Sequence, residues 1–217
     1  ISKNNSAITL VYVDGTQGWK GTNTSNLNDI ELQPEYIVAT GGTVTCCGDY
    51  KIHTFTSPGT FTVSSVGNPL GSTAVDYLVV AGGGGGGKNV GGGGAAGGYR
   101  ESSGAASGCY TVSTLGACVS ALPVSAQAYP ITTGGGGAGA CCVGVNPGSN
   151  SVFSTITSAG GGGGADGGNS TANAGGNGGS GGGAGGYNSN FPTPCKSSVS
   201  VITPPVSPPQ DNTGAKC

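Results

Sequence analysis

Along the first third of the chain, apolar and polar residues alternate in runs that are too short for helices and are bounded by turn residues. The segment "AITLVYV" (Ala7–Val13) is rich in β-branched and aromatic residues and stops at "DGTQG", which predicts a strand and then a turn. "EYIVATGGTVTCC" predicts a second strand and a third, placed around Gly41-Gly42. In "KIHTFTSPGTFTVSSV" the alternation holds on both sides of "SPG", where Pro58-Gly59 suits a tight turn. With Ser57 opposite Thr60, Ile52, Thr54, Thr56, Phe61 and Val63 share one face of the resulting hairpin, and His53 and Phe55 the other. "TAVDYLVVA" is apolar on both faces after Asp76, the pattern of a strand buried on both sides. No stretch carries a helical period with caps.

From Ala81 the grammar changes and then repeats. An apolar extended segment runs straight into glycine in "DYLVVAGGGGGG", in "AYPITTGGGGAGA" and in "VFSTITSAGGGGGADGG". Glycine runs end on an aromatic at Tyr99 and at Tyr187. A flexible linker has no reason to repeat strand, glycine run and polar-aromatic loop in this order. After Phe191 the pattern shifts once more, to the proline-rich "FPTPC" and "TPPVSPPQ", which predict an extended polyproline-type spacer. The expected organisation is a β-rich unit over 1–80, a glycine-rich bundle with strand and loop insertions over 81–190, and an extended tail over 191–217.

Composition explains what the runs are for. Glycine fills 48 of 217 positions, against a usual share of ~7%. Only 7% of residues are charged while 35% are hydrophobic, which is not the ordinary signature of disorder. Ordering a glycine costs about 1–2 kcal/mol of backbone entropy, and there is no side chain to bury in return. A hydrogen bond returns only about 1 kcal/mol net, so one isolated run stays disordered. Several runs side by side can satisfy all their backbone groups together, and Gly82–Gly98, Gly134–Gly139 and Gly160–Gly186 supply such runs. Left-handed helices of three residues per turn would point those hydrogen bonds outward. The expected fold is therefore an all-β N-terminal unit followed by a polyglycine-II-like bundle with little or no α-helix.

Competing chemistries lack their context. "VVAGGGGGG" satisfies G-x-G-x-x-G by excess of glycine, but no helix follows to meet a pyrophosphate. Gly86-Gly87-Lys88 is followed by Asn89, where a P-loop needs Ser or Thr. Collagen's strict glycine period is missing. No cofactor is expected. His53, the single histidine, sits mid-strand with Asp49 nearby in sequence, but no nucleophile motif accompanies them, and no enzyme is expected. A net charge of −2 without clustered Lys and Arg speaks against nucleic acid as a partner. No apolar run approaches the ~20 residues that span a bilayer, so no membrane insertion is expected. The chain opens on Ile1, as a processed product or a fragment would.

The eight cysteines, Cys46, Cys47, Cys109, Cys118, Cys141, Cys142, Cys195 and Cys217, suit disulfide stapling outside the cell. Cys109 and Cys118 bracket "CYTVSTLGAC", which one bridge would close into a presented loop. The adjacent pairs Cys46-Cys47 and Cys141-Cys142 are candidates for bridging each other, although spacing alone leaves the connectivity open. Vicinal cysteines do not match the C-x₂₋₄-C spacing of zinc ligands, and no metal is expected.

The phrases "YVDGTQGW", "GDYKIHTFTSPGTFTV", "VDYLVVAGGGGGG", "GGYRESSGAASGCYTVS", "ALPVSAQAYPIT" and "GSNSVFSTITSAGGGGG" together resemble the glycine-rich domain of bacteriophage tail-fibre and related virion structural proteins. The resemblance covers most of residues 8–170. It implies a β-rich unit leading into a polyglycine bundle whose connecting loops touch a host-cell receptor or glycan. Carried onto this chain, the implied contacts are Tyr99, Arg100 and Glu101, the loop Cys109–Cys118 with Tyr110, and Tyr187, Asn188 and Phe191. Aromatics with Arg and Asn offer rigid area plus hydrogen bonds, although Tyr99 and Tyr187 could equally cap the bundle. The implied protein is non-enzymatic, sits in a virion or outside the cell, and forms a homo-oligomer, a trimer by family expectation. The alternative is a self-assembling extracellular filament or matrix protein built from the same bundles. An ice- or surface-binding module would need a regular Thr-bearing repeat, which is missing. The surplus of cysteine and the Pro-rich end depart from the resemblance and suit maturation outside cells.

Overall fold

The computed structural model describes residues 10–13, 15–16, 18–21, 33–102, 120–139, 145–168 and 174–186, and among these there are strands but no helix. Strands β1 (Leu10–Tyr12) and β2 (Trp19–Gly21) form the hairpin expected around "DGTQG", with Tyr12 opposite Trp19. The Val13 N–H donates to the Gly18 carbonyl at 2.9 Å and closes the turn. β3 (Val38–Thr40) and β4 (Thr43–Cys47) fall on either side of Gly41-Gly42, as expected. Both glycines have positive φ, 111° and 64°, and a Cβ on either would run into a carbonyl, Thr60's or Thr54's. The chain can turn there only on glycine.

The hairpin expected around Pro58-Gly59 does not form. β5 (Tyr50–Thr54) pairs with β4, through Thr45↔Ile52 and Cys47↔Tyr50. β6 (Gly59–Ser65) instead lies between β3 and a distant strand, β11 (Ala128–Thr132). Burial is the reason. Phe61 and Val63 pack with Tyr129 and Phe153 from far along the chain, a cover that a local hairpin cannot supply. His53, expected on the opposite face from Phe61, meets it edge-on at 5.1 Å between ring centroids.

"TAVDYLVVA" also departs from expectation. It breaks at Asp76-Tyr77 into β7 (Ala74–Val75) and β8 (Leu78–Val80). β7 pairs with β10 (Leu122–Pro123), and β8 with β9 (Tyr99–Glu101). Ser102 makes the break, donating from Oγ to Asp76 Oδ1 at 2.7 Å and accepting the Tyr77 N–H at 3.0 Å. Only Val79 of β8 is buried. Leu78 and Val80 are 55% and 54% exposed, so burial on both faces is not found.

β12 (Ser151–Phe153) and β13 (Ile156–Ser158) complete an antiparallel five-stranded sheet in the order β13-β12-β11-β6-β3. This sheet draws strands from both sides of residue 80. Its core is Phe61, Val63, Val79, Tyr129, Phe153 and Ile156. Phe61, Tyr129 and Phe153 form a triangle with centroids 5.9–6.4 Å apart, in which Phe153 meets both other rings in the edge-to-face arrangement that aromatic quadrupoles favour and Phe61 and Tyr129 are tilted at 42°. The Tyr129 hydroxyl turns away to Ser125. The Ser125 hydroxyl at 3.3 Å and its N–H at 2.8 Å hold the phenol below its usual pKa range, against the opposing effect of burial.

Candidate functional site

Beyond the sheets the chain runs out and back in glycine-rich segments, 81–87, 91–98, 134–139, 145–150, 159–168 and 174–186. Their hydrogen bonds follow a period. The N–H groups of Ala81, Gly84 and Gly87 donate to Gly98, Ala95 and Gly92 in the returning segment, at 2.8–3.0 Å. Gly82 and Gly85 donate in another direction, to Ser149 and Asn146. The Gly83 carbonyl serves a third, accepting from Gly137 at 2.8 Å. The first two directions therefore recur every third residue.

Segment 159–168 occupies the centre. It accepts from Gly92, Ala95 and Gly98 at Ala165, Gly162 and Ala159. Gly161 and Gly164 donate to Gly82 and Gly85, while Gly162 and Ala165 donate to Ser180 and Gly183. Gly176 and Gly179 donate into it at Gly163 and Gly160. Ala159 to Ala165 are all buried, Ala165 completely. A Cβ on Gly162 would collide with the Gly176 carbonyl, and one on Gly164 with the Gly92 carbonyl. On the outside, by contrast, a Cβ on Gly93 or Gly135 would meet nothing within 4 Å.

At the end away from the sheets, Lys88-Asn89-Val90 turns the first segment into the second. The Lys88 N–H donates to Asp166 Oδ1 at 3.0 Å, and Asn89 takes the positive φ of 55° that the turn needs. The Lys88 carbonyl accepts from Gly167 at 3.1 Å, and the Val90 carbonyl from Gly186 at 2.6 Å. Asp166, the one charged residue between Glu101 and Lys196 in sequence, thus fixes the tip. Asn146 Nδ2 bonds the Ala138 carbonyl at 2.9 Å, tying a second pair of segments at the same end. Asn89 and Val90 are exposed.

Tyr99, Arg100 and Glu101 lie at the opposite end, on β9. Tyr99 and Arg100 are half-buried, and Glu101 is 4% exposed, its Oε2 accepting the Tyr99 hydroxyl at 2.7 Å. Tyr110, Tyr187, Asn188 and Phe191 lie outside the described residues, as do Cys109, Cys118, Cys141, Cys142, Cys195 and Cys217. Sequence reasoning passed over Asn89 and Val90, although the break "KNV" inside a glycine run was the signal of a turn.

The cysteine expectation needs correcting at one position. Cys47 is disulfide-bonded, but Cys46 is free and exposed. Neighbouring residues of a strand point to opposite faces, so β4 turns its two thiols apart. His53 has a structural position: Nδ1 lies 2.8 Å from the Gly41 carbonyl, and the ring packs on Phe61.

A sheet platform continued by backbone-paired glycine segments defines a glycine-rich β protein. Among the described residues no helix is long and apolar enough to cross a membrane. The chain belongs to the glycine-rich domain family, whose model matches residues 55–200 and so spans β6, the core strands and every glycine segment. No curated protein and no solved structure matches it significantly.

Proposed function

We propose that the chain is a non-enzymatic tail-fibre or virion structural protein that attaches a phage to its host through loops carried on a polyglycine-II-type scaffold. The observation that carries this reading is the three-residue period of the hydrogen bonds, with each direction serving a different neighbour. Three residues per turn is the geometry of a left-handed extended helix. At ~3.1 Å per residue such a scaffold holds the Lys88–Val90 tip about 20 Å from the β9 end. A rigid stalk of this kind presents its turns at little entropic cost to binding. The loop Cys109–Cys118 with Tyr110, and Tyr187, Asn188 and Phe191, remain proposed receptor or glycan contacts, joined now by Asn89 and Val90. The proposed location is the virion or the extracellular space, with copies of the chain as partners.

A second reading, an extracellular filament built by lateral packing of bundles, draws on the open flank at Gly93 and Gly135. One experiment separates the two. An antibody to this chain is applied to native material in the electron microscope, and adsorption to host cells is measured with purified chain as competitor. Label at virion tails, with adsorption blocked by the wild-type chain and less so by Tyr110→Ala or Tyr187→Ala, is the expected result. Label along free filaments, with adsorption untouched, would overturn the attachment reading in favour of the second.

A further inference from the structure

The β1–β2 hairpin carries an aromatic face that neither the sheet core nor the glycine segments use. Its register, Leu10↔Gly21 and Tyr12↔Trp19, places these four residues on one face, because directly opposed residues of an antiparallel pair point the same way. Leu10, Tyr12 and Trp19 are 55%, 53% and 67% exposed. The Tyr12 and Trp19 rings meet edge-on, with centroids 5.4 Å apart and planes at 63°. An edge-on contact covers one side of one ring only, so the pair keeps π-faces open to solvent. Gly21 puts no side chain beside Leu10, which extends the platform. The Tyr12 hydroxyl reaches toward the turn, 3.9 Å from where a Cβ on Gly15 would stand, and sets a donor and acceptor at the rim.

We infer that this face is a stacking platform for a neutral sugar ring. Size, openness and charge choose that ligand together. The two rings and Leu10 leave about 350 Å² uncovered on this one face, less than half of the ~800 Å² per partner of a specific protein interface. A wholly apolar small molecule needs a cavity that encloses most of its surface, whereas this face is open on its outer side. Single-stranded nucleic acid also stacks on aromatics, but it needs a cationic groove beside them, and no position on this face is charged. A pyranose meets all three conditions. One side of its ring presents C–H groups that pack on a π-face, while its hydroxyls stay in water on the open side. The inference deepens the attachment reading by naming a glycan contact. It is tested on the purified chain without cells, so its failure and the failure of host attachment are separate results.

Trp19 is the chain's single tryptophan, so its emission reports on this face. The full chain, held dilute, is titrated with maltotriose, cellotriose and chitotriose, and with sorbitol as a polyol that has no ring. The expected result is a saturable blue shift with at least one trisaccharide, with a midpoint in the millimolar range, and none with sorbitol. Saturation-transfer NMR on the same samples should mark the C–H protons of the bound ring. Tyr12→Ala, which keeps the reporter, raises the midpoint about tenfold or more, whereas Tyr36→Ala, which removes a 65% exposed aromatic outside the hairpin, leaves it in place. Emission that no trisaccharide moves overturns the inference, as does a shift that sorbitol reproduces or a midpoint unchanged in Tyr12→Ala. A shift driven by the chain's own concentration, or by phosphatidylcholine vesicles, in place of the sugars would assign the face to a second copy or to a lipid surface, and is equally fatal. The wild-type titration and its NMR spectrum require no variant to fold.

Discussion

Only Thr157 and Ser158 separate Ile156, in the core of the five-stranded sheet, from Ala159, at the start of the central glycine segment, and the two buried regions are built on opposite principles. In the sheet, water is excluded by apolar side chains worth about 25 cal/mol per Å² buried. Phe61, Val63, Tyr129, Phe153 and Ile156 fill that space, and the backbone is free to be ordinary. In segment 159–165 there is almost no side chain to bury. Exclusion of water comes from backbones that approach closely enough to pair with their neighbours, as the N–H groups of Gly161, Gly162, Gly164 and Ala165 do. A net bond contributes only about 1 kcal/mol, so the segment is held by many bonds made together rather than by any one of them. The side-chain core fails by deletion, and the backbone core fails by addition.

The strongest way to break that contrast is Gly162→Ala. The new methyl has to displace the Gly176 carbonyl on one side and crowd the Gly182 N–H on another. Overpacking costs about 1–3 kcal/mol, and each backbone group left unpaired about as much again. A loss of about 5 kcal/mol in urea unfolding is expected, with fast exchange appearing at the amides of Gly176 and Gly182. A loss below about 1 kcal/mol would show that close approach is not what holds the centre. Phe61→Ala comes next, at about 3–5 kcal/mol, because it removes one corner of the aromatic triangle and leaves a cavity between β6 and β11. Its effect should begin in the sheet, exposing Tyr129 and Phe153 to quenchers, whereas Gly162→Ala should leave those rings covered. Identical patterns in the two variants would mean that sheet and bundle unfold as one unit.

Legibility in the sequence followed the same divide. Strand positions were readable wherever glycine or turn chemistry punctuated the chain. "DGTQG" marked the β1–β2 turn, and Gly41-Gly42 marked the break between β3 and β4. Pairing was not readable, because alternation in "KIHTFTSPGTFTV" says which residues share a face and nothing about which strand covers it. The partner of β6 lies more than 60 residues onward, at Ala128–Thr132. Ser102 breaking "TAVDYLVVA" was equally hidden, since its hydroxyl reaches Asp76 across 26 positions. The glycine segments were legible as a repeated grammar, but the tip was not. Asn89, a residue that tolerates positive φ, stood in plain view inside "GGKNVGG" and was weighed only against a phosphate loop. Tyr99 and Tyr187 both end glycine runs in the sequence, and of the two only Tyr99 falls among the described residues, where it sits on β9 and bonds its near neighbour Glu101.

The finest test uses glycines that the bundle does not need. Gly135→Ala and Gly93→Ala place a methyl where nothing lies within 4 Å, and neither position has a positive φ. Replacing a glycine whose conformation alanine can share reduces the freedom of the unfolded chain and stabilises by about 0.4–1 kcal/mol. Both variants should therefore unfold at slightly higher urea than wild type, while Gly162→Ala, with the same chemistry, collapses. That opposite sign is hard to obtain from any account in which glycine content as such holds the bundle. A destabilised Gly135→Ala would instead mean that its flank is covered in solution. If the loss appeared only in concentrated samples, the cover would be another copy of the chain, and lateral packing of bundles would gain the support that it lacks in a single chain.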